Sequence, residues 1–163
     1  MRSASCSPTP RSTEPRSGRV GTIADVLEIS TNAYEQMIAL ALEGYPLEVC
    51  GLIAGPPAEG GGAGDAATLF YRCTNIAESA RVYTIDPKDH LRAEHDADDR
   101  DLEINGVVHS HTHSEAYPSP TDVAAAPDPT WHYVIITLKR EVPHARSFRI
   151  VHGEITEEPV TIT

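Results

Sequence analysis

The run His109-Ser110-His111-Thr112-His113-Ser114-Glu115-Ala116-Tyr117-Pro118-Ser119-Pro120-Thr121-Asp122 constrains the fold of this chain more than any other segment. It follows the apolar stretch Ile104 to Val108, which reads as the start of a β-strand ending at His111. Side chains at i and i+2 of a strand project from the same face, so His109 and His111 can grip one metal ion. A carboxylate further on, Asp122, completes the set. Three protein ligands leave the fourth tetrahedral position of Zn²⁺ open for water, which separates a hydrolytic centre from a closed structural one. With this chain's own composition, the pattern H-x-H-x7-S-x2-D arises by chance in roughly one or two shuffled copies per thousand.

The 163 residues suit one domain with a real core, and 40% hydrophobic with 23% charged residues is ordinary for a soluble globular protein. The net charge of −11 hides an asymmetry: residues 1–19 carry four Arg and one Glu, leaving nine basic and 23 acidic residues beyond them. An acidic body of this kind is repelled by phosphate backbones, so no nucleic-acid partner is expected. Three cysteines, Cys6, Cys50 and Cys73, with no C-x-x-C, indicate neither a disulfide framework nor a cysteine-based zinc knuckle; a reducing cytoplasm fits best. Residues 1–20, rich in Ser, Pro, Thr and Arg, read as a disordered extension before a domain over 21–163. No stretch approaches a membrane span, so no membrane partner is expected.

The element order expected from patterning is α/β, a mixed sheet flanked by helices. Ala33, Met37, Ile38, Leu40 and Ala41 predict an amphipathic helix capped at Ser30 or Thr31 and ended by Gly44. Val49–Ala54 predicts a core strand, the glycine-rich stretch 56–65 a flexible loop, and Thr68–Cys73 the next strand. Val82–Ile85 predicts a short strand and Pro87–Leu102 a charged helix with Pro in its first turn. Beyond the histidines, Thr121–Ala126 predicts a brief helix and Trp131–Leu138 the strongest strand. Ser147–Val151 and Pro159–Thr163, joined through His152-Gly153, predict two closing strands.

A second element, Pro46-Leu47-Glu48-Val49-Cys50-Gly51-Leu52-Ile53-Ala54-Gly55, places an acidic residue directly ahead of a small, apolar run. Together the two elements resemble the JAMM (MPN+) metalloprotease family, whose pattern is an upstream Glu followed much later by H-x-H-x7-S-x2-D; every position of it is filled. The resemblance runs from about Ile23 to the C-terminus. It implies the family's cytidine-deaminase-like α/β fold and one catalytic Zn²⁺ per chain held by His109, His111 and Asp122. It also implies Glu48 as general base and Ser119 as a hydrogen-bond donor to the oxyanion. The short chain is most similar to the small bacterial members of the family. That similarity rests on Glu115-Ala116-Tyr117-Pro118-Ser119, His132-Tyr133-Val134 and Phe148-Arg149-Ile150-Val151. It implies a ubiquitin-like sulfur-carrier protein ending in Gly-Gly as partner, and hydrolysis after that diglycine to release cysteine. An isopeptidase acting on other ubiquitin-like conjugates and a catalytically silent MPN scaffold are the alternatives. The glycine-rich insert Gly60–Gly64 and the leader before Gly21 depart from the family pattern.

Simpler readings accompany each residue. Ser119-Pro120-Thr121-Asp122 is also a helix start that resembles a capping box, and both roles can hold. His113 continues the alternation, but pairing it with His111 would shorten the seven-residue spacer to Ser119, so it stays outside the ligand set. Cys50, among small apolar neighbours, reads as a buried structural thiol. His90, His95, His132, His144 and His152 show no ligand spacing. The acidic group Asp96, Asp98, Asp99 and Asp101 reads as a solvated helix face rather than a calcium loop.

Overall fold

The computed structural model describes residues 26–163; the expected leader over 1–20 lies outside them. After β1 (Leu27–Ile29), the Ser30 hydroxyl accepts a 3.2 Å hydrogen bond from the Ala33 amide and starts α1 (Thr31–Gly44). Ala33, Met37 and Ala41, four residues apart, form the buried stripe of that helix. Strand β2 (Cys50–Gly55) is buried at all six positions, as expected of a central strand, and β3 (Ala66–Ala67) and β4 (Leu69–Cys73) follow. Helix α2 (Pro87–Asp99), capped by Asp86 and with Pro at its start, turns only Ala93 and Ala97 fully inward; its charged face is solvated. Then come β5 (Glu103–His111), α3 (Pro120–Ala125), β6 (His132–Thr137), β7 (His144–Val151), β8 (Glu154–Glu158) and β9 (Val160–Ile162).

Six strands form a mixed sheet in the order β4-β2-β5-β6-β7-β8, in which only β5 and β6 run parallel, and α3 lies in the crossover between them. A small parallel sheet, β3-β1-β9, stands beside it. Residue alternation sends Ile53, Val108, Val134 and Ile136 to the face covered by α1. Leu52, Val107, Tyr133, Ile135 and Phe148 go to the face shared with Ala93 of α2. Gly51 is required by packing: a Cβ there would run into the Phe70 ring and the Tyr71 carbonyl of the neighbouring strand.

A β-bulge at Asn105 shifts the β2–β5 register between Ile53 and Ala54. The extra residue is fully buried and donates to the carbonyls of Gly64 (2.8 Å) and Ala66 (2.7 Å), tying the end of the glycine-rich loop to the sheet. His132, also buried, sits 2.7 Å from Glu158, which accepts from Ser147 and Arg149 as well. This histidine is therefore satisfied locally, and the polar plug closes the end of β5 and β6 remote from His111.

Four expectations are corrected. Val82–Ile85 is not a strand; it makes a single bridge, Ile85 to Asn75, because the Asn75 side chain takes the Val82 carbonyl and Thr84 amide that a ladder would pair. β7 begins at His144, three residues earlier than patterning suggests. The His152-Gly153 turn, with φ of 51° and 81°, does make a hairpin, but its return strand is β8, whose Glu154-Ile155-Thr156-Glu157-Glu158 composition is that of an edge strand. The final strand instead crosses to pair in parallel with β1, a three-residue strand that the periodicity does not reveal.

Candidate metal centre

His109 and His111 fall on the α2 side of β5, His109 opposite Cys50 of β2 and Ile135 of β6. Their Nε2 atoms are 3.1 Å apart, and each is 3.4 Å from Asp122 Oδ2. All three residues are buried, with ligand atoms within 4.8 Å of one another. Ligands about 2.0–2.1 Å from a tetrahedral ion are separated by roughly 3.3–3.4 Å, so this triangle has the edge lengths of one face of such a tetrahedron. Its protons also argue for a cation. His111 Nδ1 lies 2.8 Å from the Glu115 carbonyl, which can only accept, so Nδ1 carries the hydrogen and neutral His111 presents a lone pair at Nε2. Two lone-pair acceptors, His111 Nε2 and Asp122 Oδ2, then converge with His109 Nε2 on one point, an arrangement that a positive ion satisfies. The donor set therefore fits Zn²⁺ or a similar divalent ion.

Asp122 is held by the fold rather than by the triangle alone. It is the third residue of α3. Ser119 caps that helix by accepting from the Asp122 amide at 3.1 Å, while the Ser119 amide donates to Asp122 Oδ2 at 2.7 Å. The capping box thus fixes the same oxygen that faces both imidazoles. Burial works against charge on Asp122, but the facing His109 and His111 imidazoles and the Ser119 amide outweigh it and hold the carboxyl far below the usual carboxylate range. Complete burial lowers His109, which favours its neutral, ligand-competent form. For His111, burial opposes protonation, yet Asp122, the Glu115 carbonyl and Glu48 prevail and raise it.

Glu48 stands just before β2, and its backbone is anchored on three sides. Its amide donates to the Ser79 carbonyl at 2.8 Å, its carbonyl accepts from Asn75 Nδ2 at 2.9 Å, and the next residue, Val49, donates to Ser110 Oγ at 3.0 Å. Ser110, the residue between the two histidines, therefore ties the Glu48 segment to the strand that carries them. The Glu48 side chain is buried with no partner on Oε2. Burial, reinforced by the Asp122 charge and opposed by His111, pushes its carboxyl up to about 7. Glu48, His111 and Ser119 line one cleft of about 490 Å³, together with Ala80, Arg81, His113 and Ser114.

His113 stands outside the triangle, with Nδ1 2.8 Å from Thr112 Oγ1 and its ring 6.0 Å from that of Tyr45. Cys50 is a buried thiol, pushed by burial up to about 12 and hence unreactive. Four contributors escape sequence reasoning: Ser110, Asn75, Tyr83, whose ring stacks on His109 at 4.4 Å, and Arg81. Each reaches the centre through tertiary contact, and none has a spacing that marks it.

Fold and site define a mixed-sheet α/β protein in which two histidines and an aspartate form a triangle able to hold a metal, beside a buried glutamate. Residues 30–151 match the family model for prokaryotic homologs of the JAB domain. The chain belongs to this JAB-domain, or JAMM/MPN, family, and it is a peptidase of the JAMM type. It is 39% identical over 145 residues to the CysO-cysteine peptidase of Mycobacterium tuberculosis, covering 88% of this chain and 95% of that protein. It is 30% identical over 116 residues to the desampylase of Haloferax volcanii, covering 67% and 78% of the two chains. Among solved structures, a Desulfitobacterium hafniense protein superposes with a TM-score of 0.74 at 29% identity, covering 85% of this chain and 92% of that one. A JAB1/MPN domain protein of Archaeoglobus fulgidus, at 16% identity and TM-score 0.54 over 83% and 98% of the two chains, shares the fold. The expectation of a mixed α/β JAMM fold is thereby met.

Proposed function

We propose that this chain is a zinc-dependent peptidase that hydrolyses the bond after the C-terminal Gly-Gly of a ubiquitin-like sulfur-carrier protein and releases cysteine. The observation that carries the reading is the ligand triangle of His109, His111 and Asp122 opening onto a cleft shared with Glu48 and Ser119. The likeness to the CysO-cysteine peptidase across nearly the whole of both chains supports the substrate class. Held by the three ligands, zinc would polarise the scissile carbonyl and acidify the attacking water. Glu48, with a carboxyl poised near neutrality, takes the proton of that water and returns it to the departing amine nitrogen. Ser119 Oγ accepts from the Asp122 amide, which leaves its own hydrogen free to donate to the developing oxyanion. Cap and donor are therefore compatible roles of one hydroxyl.

Among the described residues no helix is long and apolar enough to cross a membrane, and Cys50 and Cys73 are free thiols, which suits a reducing cytoplasm. The likeness to the desampylase supports a second reading, isopeptidase action on a lysine-linked conjugate. The test is to incubate the zinc-loaded protein with a sulfur carrier ending in Gly-Gly-Cys and to follow intact mass, with Glu48→Gln and a chelator as controls. Loss of one cysteine in the active sample alone is expected. An unchanged carrier, with a lysine-linked diglycine conjugate cleaved instead, replaces the first reading with the second.

A further inference from the structure

Seven arginines lie among the described residues, and six are committed. Arg72 pairs with Glu43, Arg92 with Asp89, Arg100 with Asp96, Arg140 with Glu115, Arg146 with Glu157, and Arg149 with Asp65 and Glu158. Among the described residues, 22 of which are acidic, Arg81 alone of these arginines has no carboxylate within 4.0 Å, and it is the one arginine on the wall of the Glu48 cleft. An unpaired guanidinium in so acidic a protein, at the mouth of a hydrolytic site, is a vacant anion receptor.

The backbone that presents it is held on both sides. The Ser79 carbonyl accepts from the Glu48 amide at 2.8 Å, the Arg81 amide donates to Ser79 Oγ at 3.1 Å, and the Ala80 carbonyl accepts from Thr112 Oγ1 at 3.5 Å. On the far side, Asn75 Nδ2 donates to the Val82 carbonyl at 3.1 Å while also holding the Glu48 carbonyl. The arginine is thus tethered to the base and, through Thr112, to the strand of the metal ligands. Its place relative to the reacting bond is set by the fold rather than by a free loop.

We propose that Arg81 is a specificity-determining residue that binds the α-carboxylate of a single residue following the scissile amide, so that the enzyme removes one terminal amino acid. This deepens the peptidase reading above and rests on it. A planar guanidinium matches a carboxylate bidentately. A substrate whose chain continues past the cleaved bond, or whose leaving group is a lysine side chain within a protein, offers no carboxylate at that distance. Arg81 would then favour a free C-terminal residue over an isopeptide.

The experiment measures binding of acetyl-Gly-Gly-Ala and of its C-terminal carboxamide to zinc-loaded Glu48→Gln protein by calorimetry, with and without Arg81→Gln. The alanine side chain gives the metal no thiol, so the comparison isolates the carboxylate. The acid is expected to bind at least about tenfold more tightly than the amide when Arg81 is present, and the ratio is expected to collapse towards one in Arg81→Gln, with Arg81→Lys between them. Equal binding of acid and amide to the arginine protein overturns the proposal. So does an acid preference that survives Arg81→Gln, which would assign the carboxylate to the metal. Cleavage of the Gly-Gly-Cys carrier by the Arg81 and Glu48 parent, alongside equal binding of the two peptides, sinks the arginine proposal alone. No cleavage, alongside a ratio that depends on Arg81, sinks the peptidase reading and leaves the carboxylate site standing.

Discussion

Replacing Glu48 by Gln should remove turnover and at the same time stabilise the metal-free protein, because the carboxyl is placed where ionisation is costly. Its folded value is raised from 4.5 to about 7 by burial, and one oxygen has no hydrogen-bond partner. Below about pH 4.5 the group is protonated both folded and unfolded, and its contribution is fully present. As pH rises towards 7 the unfolded chain ionises first, so stability is lost through that window and the loss levels off above it. At about 1.4 kcal/mol per pK unit the shift sets an upper limit of about 3.5 kcal/mol. Because the side chain lines a cleft open to water, screening reduces this to about 1–2 kcal/mol. For a domain of this size that is about 2–8 °C in Tm. The assay is thermal unfolding by circular dichroism in chelator, wild type against Glu48→Gln, from about pH 4.5 to 8.5. The advantage of the variant should grow from about zero to its plateau by roughly pH 8, and zinc, by favouring the ionised carboxylate, should shrink it. A difference that stays flat with pH, or a variant less stable at alkaline pH than at acid pH relative to wild type, would refute the assignment of a costly buried charge.

Further outcomes separate the roles of the remaining residues. Ser119→Gly removes the hydroxyl but leaves a tolerated N-cap, so stability should fall by only a few tenths of a kcal/mol while kcat drops about 10²–10³-fold; equal kcat values would confine Ser119 to capping. Asp122→Asn can still accept from the Ser119 amide, so α3 should persist by circular dichroism while zinc content, measured by atomic absorption, falls from one per chain to below about a tenth. Stripping zinc from wild type should lower Tm by the equivalent of about 2.7 kcal/mol relative to protein held at a hundredfold excess over Kd, and the same treatment should leave Asp122→Asn unmoved. Asn75→Ala breaks four hydrogen bonds, to the Glu48 and Val82 carbonyls and from the Ala77 and Thr84 amides. A loss of about 2–4 kcal/mol in urea unfolding is expected, with a lower kcat because the Glu48 backbone loses an anchor.

The grouping of His109, His111 and Asp122 was legible because its signals are local. Two histidines at strand spacing share a face whatever the rest of the fold does, and Ser119-Pro120-Thr121-Asp122 starts a helix in almost any context. The amphipathic stripe of α1 and the apolar runs of β2 and β6 were equally plain, since their periodicity reflects burial on one or both faces. The expectation of a base at Glu48 rests on family resemblance alone, since a lone acid before a strand carries no periodic signal; the structure places that residue in the same cleft as His111.

Strand partners at the C-terminus were not legible, because an edge strand such as β8 draws its stability from backbone pairing with β7 and has no apolar pattern of its own. The same holds for the 75–85 segment, where one asparagine side chain replaces a ladder. The residue types that converge at the cleft are therefore written along the chain in short spacings. The pairing of β2 with β5 brings Glu48 beside His111, and the hydrogen bonds of the 75–85 segment set Arg81 on the wall of the same cleft, across separations of tens of residues. Those properties depend on long-range hydrogen bonds and on which charges are left without partners, and no local pattern encodes either.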